Sequence, residues 1–161
     1  MTQPHQSPQP PRPPQWPRAD LDPVRRLHAL ASGISGAHVT EGRVDAPYAR
    51  VWALLGDLEG EFGRITPDMR GLRVLRRDGE RVEALAISKY GMRAHLRGVH
   101  RPGWCWLQSR FLLVGVAAAP DGDGTRVAFT GGVRVPGRAA LVPLGVRVEG
   151  RRSLGRLTAL L

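Results

Sequence analysis

The side chains that could carry out chemistry are few, and none of them falls into a recognised catalytic spacing. The five histidines, at positions 5, 28, 38, 95 and 100, do not cluster along the chain. His100 could act as a general base at a cavity mouth, but an ordinary surface histidine is the simpler interpretation. Cys105 is the only cysteine, which excludes an intrachain disulfide and a thiolate metal cluster. We interpret it as a small buried apolar residue rather than a nucleophile.

Motifs for phosphate, metal and acyl chemistry are also missing. The sequence has no Gly-rich phosphate loop, no His-Glu-x-x-His and no Gly-x-Ser-x-Gly. Asp121 and Asp123 could imitate part of a calcium loop, but the other ligands are absent and a hairpin turn explains both aspartates better. We therefore predict no catalytic residue, no metal site and no cofactor.

The charge balance limits the kinds of partner. The formal net charge is +10, from 24 basic and 14 acidic side chains. The basic residues are almost all arginines, scattered in runs no longer than two, so a nucleic-acid function is disfavoured. A peripheral contact with anionic lipid or an acidic partner fits such a surface better. The longest apolar run, residues 111–119, is too short to span a bilayer, and no secretory signal is evident. We expect a cytoplasmic protein.

Composition divides the chain into three parts. Residues 1–19 contain seven of the 14 prolines and are predicted to form a disordered tail. Residues 20–37 are predicted to hold a short helix, opened by Asp22 and Pro23 and closed by Gly33, followed by a linker. Residues 38–161 form the predicted folded domain.

Within that domain the periodicity indicates strands between helical ends. A strand begins at Val39, Asp45-Ala46-Pro47 starts a helix, and residues 60–65 form a second helical piece. Six strands then follow, at 72–75, 81–89, 92–100, 104–111, 112–119 and 125–135. The turns between them are tight, which favours an antiparallel meander. Residues 138–161 are helical by period, with Pro143 as a kink or true start.

Two segments resemble a known superfamily. Residues 45–58, DAPYARVWALLGDL, look like the opening helix of START-like proteins (also called SRPBCC or Bet v 1-like), and residues 124–130, GTRVAFT, look like their last strand. The resemblance covers about residues 38–161. It implies an α+β helix-grip fold, in which a curved antiparallel sheet of about seven strands surrounds a long C-terminal helix, with two short helices after strand 1. It also implies a cavity for a lipid, sterol, polyketide or other apolar molecule. Residues 62–67 depart from the aromatic pair usual there, which leaves the subfamily open.

The side chains expected to face that cavity are mostly small. We predict as ligand-binding residues Ala84, Ala86, Met92, Ala94, Leu96, Leu107, Val127, Phe129, Leu144 and Val148. On the C-terminal helix, Leu144 and Val148 belong to an apolar stripe with Leu154, Leu157 and Leu161. In strand 104–111 we favour the phase of Cys105 facing inward; the alternative directs Trp106 and Arg110 at a ligand. A tightly packed core is the alternative to a cavity.

Three functions remain open on these grounds. The first is binding or carriage of a hydrophobic small molecule between the sheet and the C-terminal helix. The second is a polyketide cyclase- or dehydratase-like enzyme, which needs a proton-handling group inside the cavity. The third is an interaction module that uses its basic surface and has a filled core.

Overall fold

The computed structural model describes residues 20–134, 137, 141–142 and 146–161. The tail predicted over residues 1–19 and the predicted ligand contact Leu144 lie outside this part of the chain. The elements, in chain order, are α1 (Pro23–Ser32), β1 (His38–Val44), α2 (Tyr48–Leu55), α3 (Phe62–Ile65), β2 (Met69–Asp78), β3 (Arg81–Ser88), β4 (Arg93–Arg101), β5 (Trp104–Gln108), β6 (Leu112–Asp121), β7 (Gly124–Arg134), β8 (Leu141–Val142) and α4 (Val146–Leu160).

One antiparallel sheet forms the framework of the domain. Its strands lie in the order β1-β7-β6-β5-β4-β3-β2, so β2 to β7 form the predicted meander and β1 closes against β7. β8 pairs with the last two residues of β7, beyond the point where β1 begins. The short turns put the hairpins β3–β4 and β5–β6 and the end of β7 at one end of the sheet. The hairpins β2–β3, β4–β5 and β6–β7 lie at the opposite end.

Alternation along the strands separates an inner face, which packs with α2, α3 and α4, from an outer face. On β3, Val82, Ala84 and Ala86 are buried inward in the main core. On β5, Cys105 and Leu107 belong to the same core, as the favoured phase predicted. The two-residue period of a strand then places the β5 tryptophans on the outer face.

The helix α1 covers part of that outer face. Asp22 caps it by accepting a hydrogen bond from the Arg25 amide, and its carboxylate also pairs with Arg126 of β7 at 3.1 Å. Leu27 is fully buried, in a second core with Trp104 and outward alanines of β6 and β7. The helix predicted over this region therefore packs on the sheet, and it buries one of the two outward tryptophans.

The helices α2 and α3 fill one region of the inner face. Val51 and Leu55 of α2 and Phe62 and Ile65 of α3 are almost completely buried in the main core. These are the two short helices expected after strand 1. The apolar side chains of α2 and α3 fill the space between the sheet and α4 in the region where these two helices lie.

The C-terminal helix differs from its prediction in start and facing. It begins at Val146 rather than at residue 138, because residues 141–142 pair with β7 as β8. Its buried face consists of Gly150, Ser153 and Leu157. Val148 is 53% exposed. At 100° per residue Val148 and Leu157 point in opposite directions, so the predicted stripe could not be one face.

Candidate functional site

A cavity of about 800 Å³ lies between the inner face of the sheet and the first turns of α4. Its walls come from the end of β3, the start of β4, the β5–β6 turn and the last residues of β7. Phe62 of α3 and Met69 of β2 close one side, and Glu149, Gly150 and Ser153 of α4 close another. The cavity opens at the end of the sheet that carries the β3–β4 hairpin.

Short side chains explain why this space stays open. Ala86, Ala94, Gly131 and Gly132 contribute almost no volume where the walls face α4. The helix is held on the far side of the space, close to β1. At Gly150 a Cβ atom would overlap the side chain of Thr40 on β1, so only glycine permits this approach.

Of the predicted ligand-binding residues, four line the cavity: Ala86, Met92, Ala94 and Phe129. Ala86 and Ala94 lie on the neighbouring strands β3 and β4, and Phe129 lies on β7. Met92 lies in the turn before β4 and is 66% exposed, so it belongs to the rim rather than the interior.

Four other predicted residues point inward but do not reach the cavity. Ala84, Leu96, Leu107 and Val127 are fully buried in the main core. They lie further along their strands, where α2, α3 and Leu157 occupy the space that a ligand would need. Their prediction as cavity lining is wrong because inward facing alone does not distinguish a packed stretch of strand from an open one.

Val148 also fails as a lining residue, since it projects from the exposed side of α4. Its neighbour Glu149 reaches the cavity instead, as do Gly150 and Ser153. The correction follows from the rotation of α4, which turns position 149 rather than 148 toward the space. Leu144 is outside the described residues.

A pair of carboxyl groups, Glu149 and Asp68, forms the main polar feature of the cavity wall. Burial raises the pKa of Glu149 from its ordinary 4.5 to about 7, and a hydrogen bond with the Asp68 side chain and repulsion by its charge add to the rise. The positive charge of Arg152 opposes it. The pair can therefore hold a proton near neutral pH and donate it in a hydrogen bond. Asp68 and Glu149 were missed because they are 81 positions apart and in contact only through the fold.

Three serines supply further polar groups of the wall. The Ser88 hydroxyl accepts hydrogen bonds from the Tyr90 and Met92 amides at 3.2 and 3.0 Å, which fixes the β3–β4 turn. Ser109 accepts from the Phe111 and Leu112 amides in the same way. Ser153 of α4 is 4% exposed and lines the cavity. Two hydroxyls thus shape the rim, and the third faces the interior.

The two residues considered as chemical candidates from sequence lie elsewhere. His100 stacks on Trp52 with ring centroids 5.8 Å apart, and its Nδ1 lies 3.2 Å from an Arg77 nitrogen. Burial lowers its pKa, the Arg77 charge lowers it further, and the nearby Gly56 carbonyl partly offsets both. Its buried Nε2 makes no hydrogen bond of ordinary geometry within the described residues. His100 is therefore a partly buried residue that lies outside the cavity lining.

Cys105 is fully buried, and burial raises the pKa of its thiol to about 12. A thiol with so high a pKa is not a nucleophile near neutral pH. Among the described residues no group of three or more His, Cys, Asp and Glu side chains is placed to hold a metal ion. Within the same residues, no helix has the length and hydropathy needed to cross a membrane.

Comparison with known proteins identifies the fold through structure and not through sequence. No family model matches the chain, and no curated protein matches it significantly. The solved structure of KanY superposes with a TM-score of 0.58 at 18% identity, covering 78% of this chain and 97% of KanY. TTHA0849 from Thermus thermophilus has a TM-score of 0.56 at 21% identity, covering 77% and 98%. Ara h 8.0201 has a TM-score of 0.51 at 10% identity, covering 77% and 97%.

These matches include Bet v 1-like structures and confirm the predicted START-like, Bet v 1-like fold. At identities of 10–21% they establish the fold alone. Function must therefore be argued from the cavity of this chain.

Proposed function

We propose that the protein binds or carries a hydrophobic small molecule in the cavity between the sheet and α4. The observation that carries the proposal is the cavity itself, about 800 Å³ of mostly apolar space with the Asp68–Glu149 pair and Ser153 on the α4 side. Pockets of roughly 300–1,000 Å³ with apolar walls and few polar groups are typical small-molecule sites.

Apolar burial would supply most of the affinity. A ligand that hides on the order of 300 Å² of apolar surface gains about 7.5 kcal/mol at 25 cal/mol per Å². Part of that gain is offset by lost translational and rotational freedom. The wall residues Ala86, Ala94, Val114 and Phe129 offer the matching apolar surface. A lipid, polyketide or related metabolite fits this description.

The carboxyl pair would orient the ligand. Because Glu149 holds a proton up to about pH 7, it can donate a hydrogen bond to a ligand carbonyl or hydroxyl. Ser153, one turn further along α4, can donate or accept. We therefore expect a ligand with an apolar body and one hydrogen-bonding group, held with that group toward the start of α4.

A cavity-filling substitution tests the proposal. Ala94→Trp places an indole in the cavity, and we expect it to weaken binding of an apolar fluorescent probe at least about tenfold, since the probe and the indole compete for one volume. Ala29→Trp, on the exposed side of α1, adds the same side chain on the surface and serves as the control. Both variants are first checked for a native-like thermal transition. Unchanged probe affinity in a folded Ala94→Trp protein would contradict cavity binding. Native mass spectrometry of the freshly purified protein would reveal a co-purifying ligand.

The second candidate is a cyclase- or dehydratase-like enzyme, and Glu149 is the observation that favours it. A carboxyl group with a pKa of about 7 inside an apolar cavity is suited to general acid–base catalysis. Glu149→Gln distinguishes the two functions with a poly-β-ketone as the probe. A carrier keeps its affinity and shows no turnover in either form, whereas an enzyme keeps its affinity and loses its turnover. The third hypothesis required a filled core, which does not match the cavity. The cytoplasmic location stays a prediction.

A further inference from the structure

The mouth of the cavity is surrounded by exposed apolar side chains. Tyr90, Met92, Phe111 and Val133 are 79%, 66%, 46% and 52% exposed, and all four border the cavity. They come from the β3–β4 turn, the β5–β6 turn and the end of β7, which the antiparallel topology brings to one end of the sheet. We call these four residues the apolar rim. Water-exposed apolar groups gathered in this way are typical of a binding surface.

Cations stand next to each member of the rim. Lys89, Arg93, Arg110 and Arg134 adjoin its four side chains in sequence and are exposed. None of the four forms an ion pair with another residue in the described part of the chain. The Arg110 guanidinium instead lies 5.5 Å from the centroid of the Phe111 ring. We call these four residues the basic ring. Their charges are available to an external anionic partner.

The opposite end of the sheet carries acidic as well as basic residues. Its hairpins carry Asp78, Glu80, Asp121 and Asp123. Arg43 pairs with both of these last two aspartates, and Arg101 with Glu80. The carboxyl groups near the mouth are Asp68 and Glu149, which bond to each other on the α4 side, with Arg152 beside them. The hairpin side of the mouth is thus positive, whereas the far end, which also carries Arg76, Arg77 and Arg81, is of mixed charge.

We propose that the cavity mouth docks on an anionic lipid bilayer, with the apolar rim entering the interface and the basic ring contacting the headgroups. A nucleic acid would also satisfy the cations, but it offers no apolar medium for Tyr90, Met92, Phe111 and Val133. A bilayer interface satisfies both sets at once. Among the described residues, the far end has mixed charge and only Leu75 as a large exposed apolar side chain, so the mouth is the end that faces the bilayer. Docked this way, the cavity opens directly into the lipid, which extends the proposed function to ligand exchange with a membrane.

Vesicle sedimentation with the full chain tests the proposal. We expect the protein to bind vesicles of mixed phosphatidylcholine and phosphatidylglycerol, to bind pure phosphatidylcholine much more weakly, and to be released by salt. Each cation near an anionic surface contributes about a fivefold factor in partitioning. The double variant Arg93→Ser, Arg110→Ser should therefore bind roughly 25-fold more weakly. Met92→Ser with Phe111→Ser should also weaken binding, by removing apolar insertion.

Matched controls come from the far end of the sheet. Arg76→Ser with Arg81→Ser removes two exposed cations, and Leu75→Ser removes an apolar side chain that is 50% exposed. These variants should bind vesicles almost as the wild type does. The proposal is overturned if mixed vesicles are not bound, or if the far-end variants lose as much binding as the mouth variants. Tight binding to a DNA oligonucleotide without vesicle binding would overturn it in favour of a nucleic-acid surface.

The vesicle experiment and the probe experiment test the docking surface and the proposed function separately. Binding of the apolar probe in solution, without vesicles, reports on the cavity of the wild-type protein alone. Vesicle binding without probe binding would leave the docking surface standing and remove the carrier. Probe binding without vesicle binding would do the reverse.

Discussion

Replacing Glu149 by glutamine should make the stability of the protein less dependent on pH. In the folded state burial and the neighbouring Asp68 raise the pKa of Glu149 from 4.5 to about 7. In the unfolded chain the group returns to its ordinary value. Between these two pKa values the folded state holds a proton that the unfolded state has released. The folded state is therefore favoured less and less as the pH rises through that window.

The size of the effect follows from the shift and from solvent exposure. The whole difference between the two pKa values would correspond to roughly 3 kcal/mol. Because the carboxyl is only partly buried, solvent screening reduces the expected contribution to about 1 kcal/mol. The penalty is absent below pH 4.5 and complete above about pH 7.

Chemical denaturation near the two ends of this window measures it. From about pH 5 to about pH 8, the wild type should lose about 1 kcal/mol of unfolding free energy relative to Glu149→Gln, or roughly 2–4 °C in Tm. Asp78→Asn, an exposed carboxyl at the far end of the sheet, should follow the wild type. Asp68→Asn should bring the Glu149 titration closer to that of an ordinary glutamate, which carboxyl NMR would show directly. Parallel pH profiles for the wild type and Glu149→Gln would refute the reasoning.

Three further predictions concern the packing around the site. Gly155→Ala, on the open side of α4, should stabilise the protein by up to about 1 kcal/mol. Gly150→Ala adds a methyl group that collides with β1, so it should destabilise the protein by about 1–3 kcal/mol. Equal effects of the two substitutions in urea unfolding would contradict the close approach of α4 to β1. Leu27→Ala should cost about 2–3 kcal/mol in α1 docking, seen as faster amide exchange in α1 and red-shifted Trp104 fluorescence. Because the folded pKa of His100 is lowered, the wild type should lose stability as the pH falls below 6.5. His100→Phe should abolish that loss, and an unchanged dependence of unfolding free energy on pH in the acid range would contradict the prediction.

The sheet could be predicted because its information is local. The turns at Asp78-Gly79 and at residues 121–124, and the alternation of Val82, Ala84 and Ala86, are readable within a few residues. The ends of strands were predicted less well than their existence. The strand predicted at residues 72–75, for example, spans Met69–Asp78 in the structure as β2. The predicted start of α4 was wrong because residues 141–142 pair with the end of β7, the strand just before them, and so cannot belong to the helix. No pattern within residues 138–161 carries that information.

The cavity was harder to predict than the sheet for a related reason. Small inward residues occur both where the core is packed, as at Ala84, and where it is open, as at Ala86. These two positions differ only in whether a helix packs opposite them, and that depends on where α2, α3 and α4 lie. Glu149 was overlooked because helix rotation was assigned from apolar spacing alone. Apolar spacing predicts that Val148 faces the sheet. In the structure the close approach of Gly150 to β1 fixes the rotation of α4 and turns Glu149 toward the cavity.

That close approach connects the packing to the function we propose. A helix pressed onto β1 at Gly150 cannot also lie against β3 and β4, and α2 and α3 occupy only the part of the inner face nearest to them. The space left over opens at the end of the sheet where the hairpins carry cations and exposed apolar side chains. If glycine at 150 were replaced by a residue that pushes α4 away from β1, the helix would move into this space. Gly150→Ala should therefore weaken binding of an apolar probe as well as stability, while Gly155→Ala should leave the probe affinity unchanged. Loss of stability with full probe affinity in Gly150→Ala would show that the position of α4 does not control the cavity.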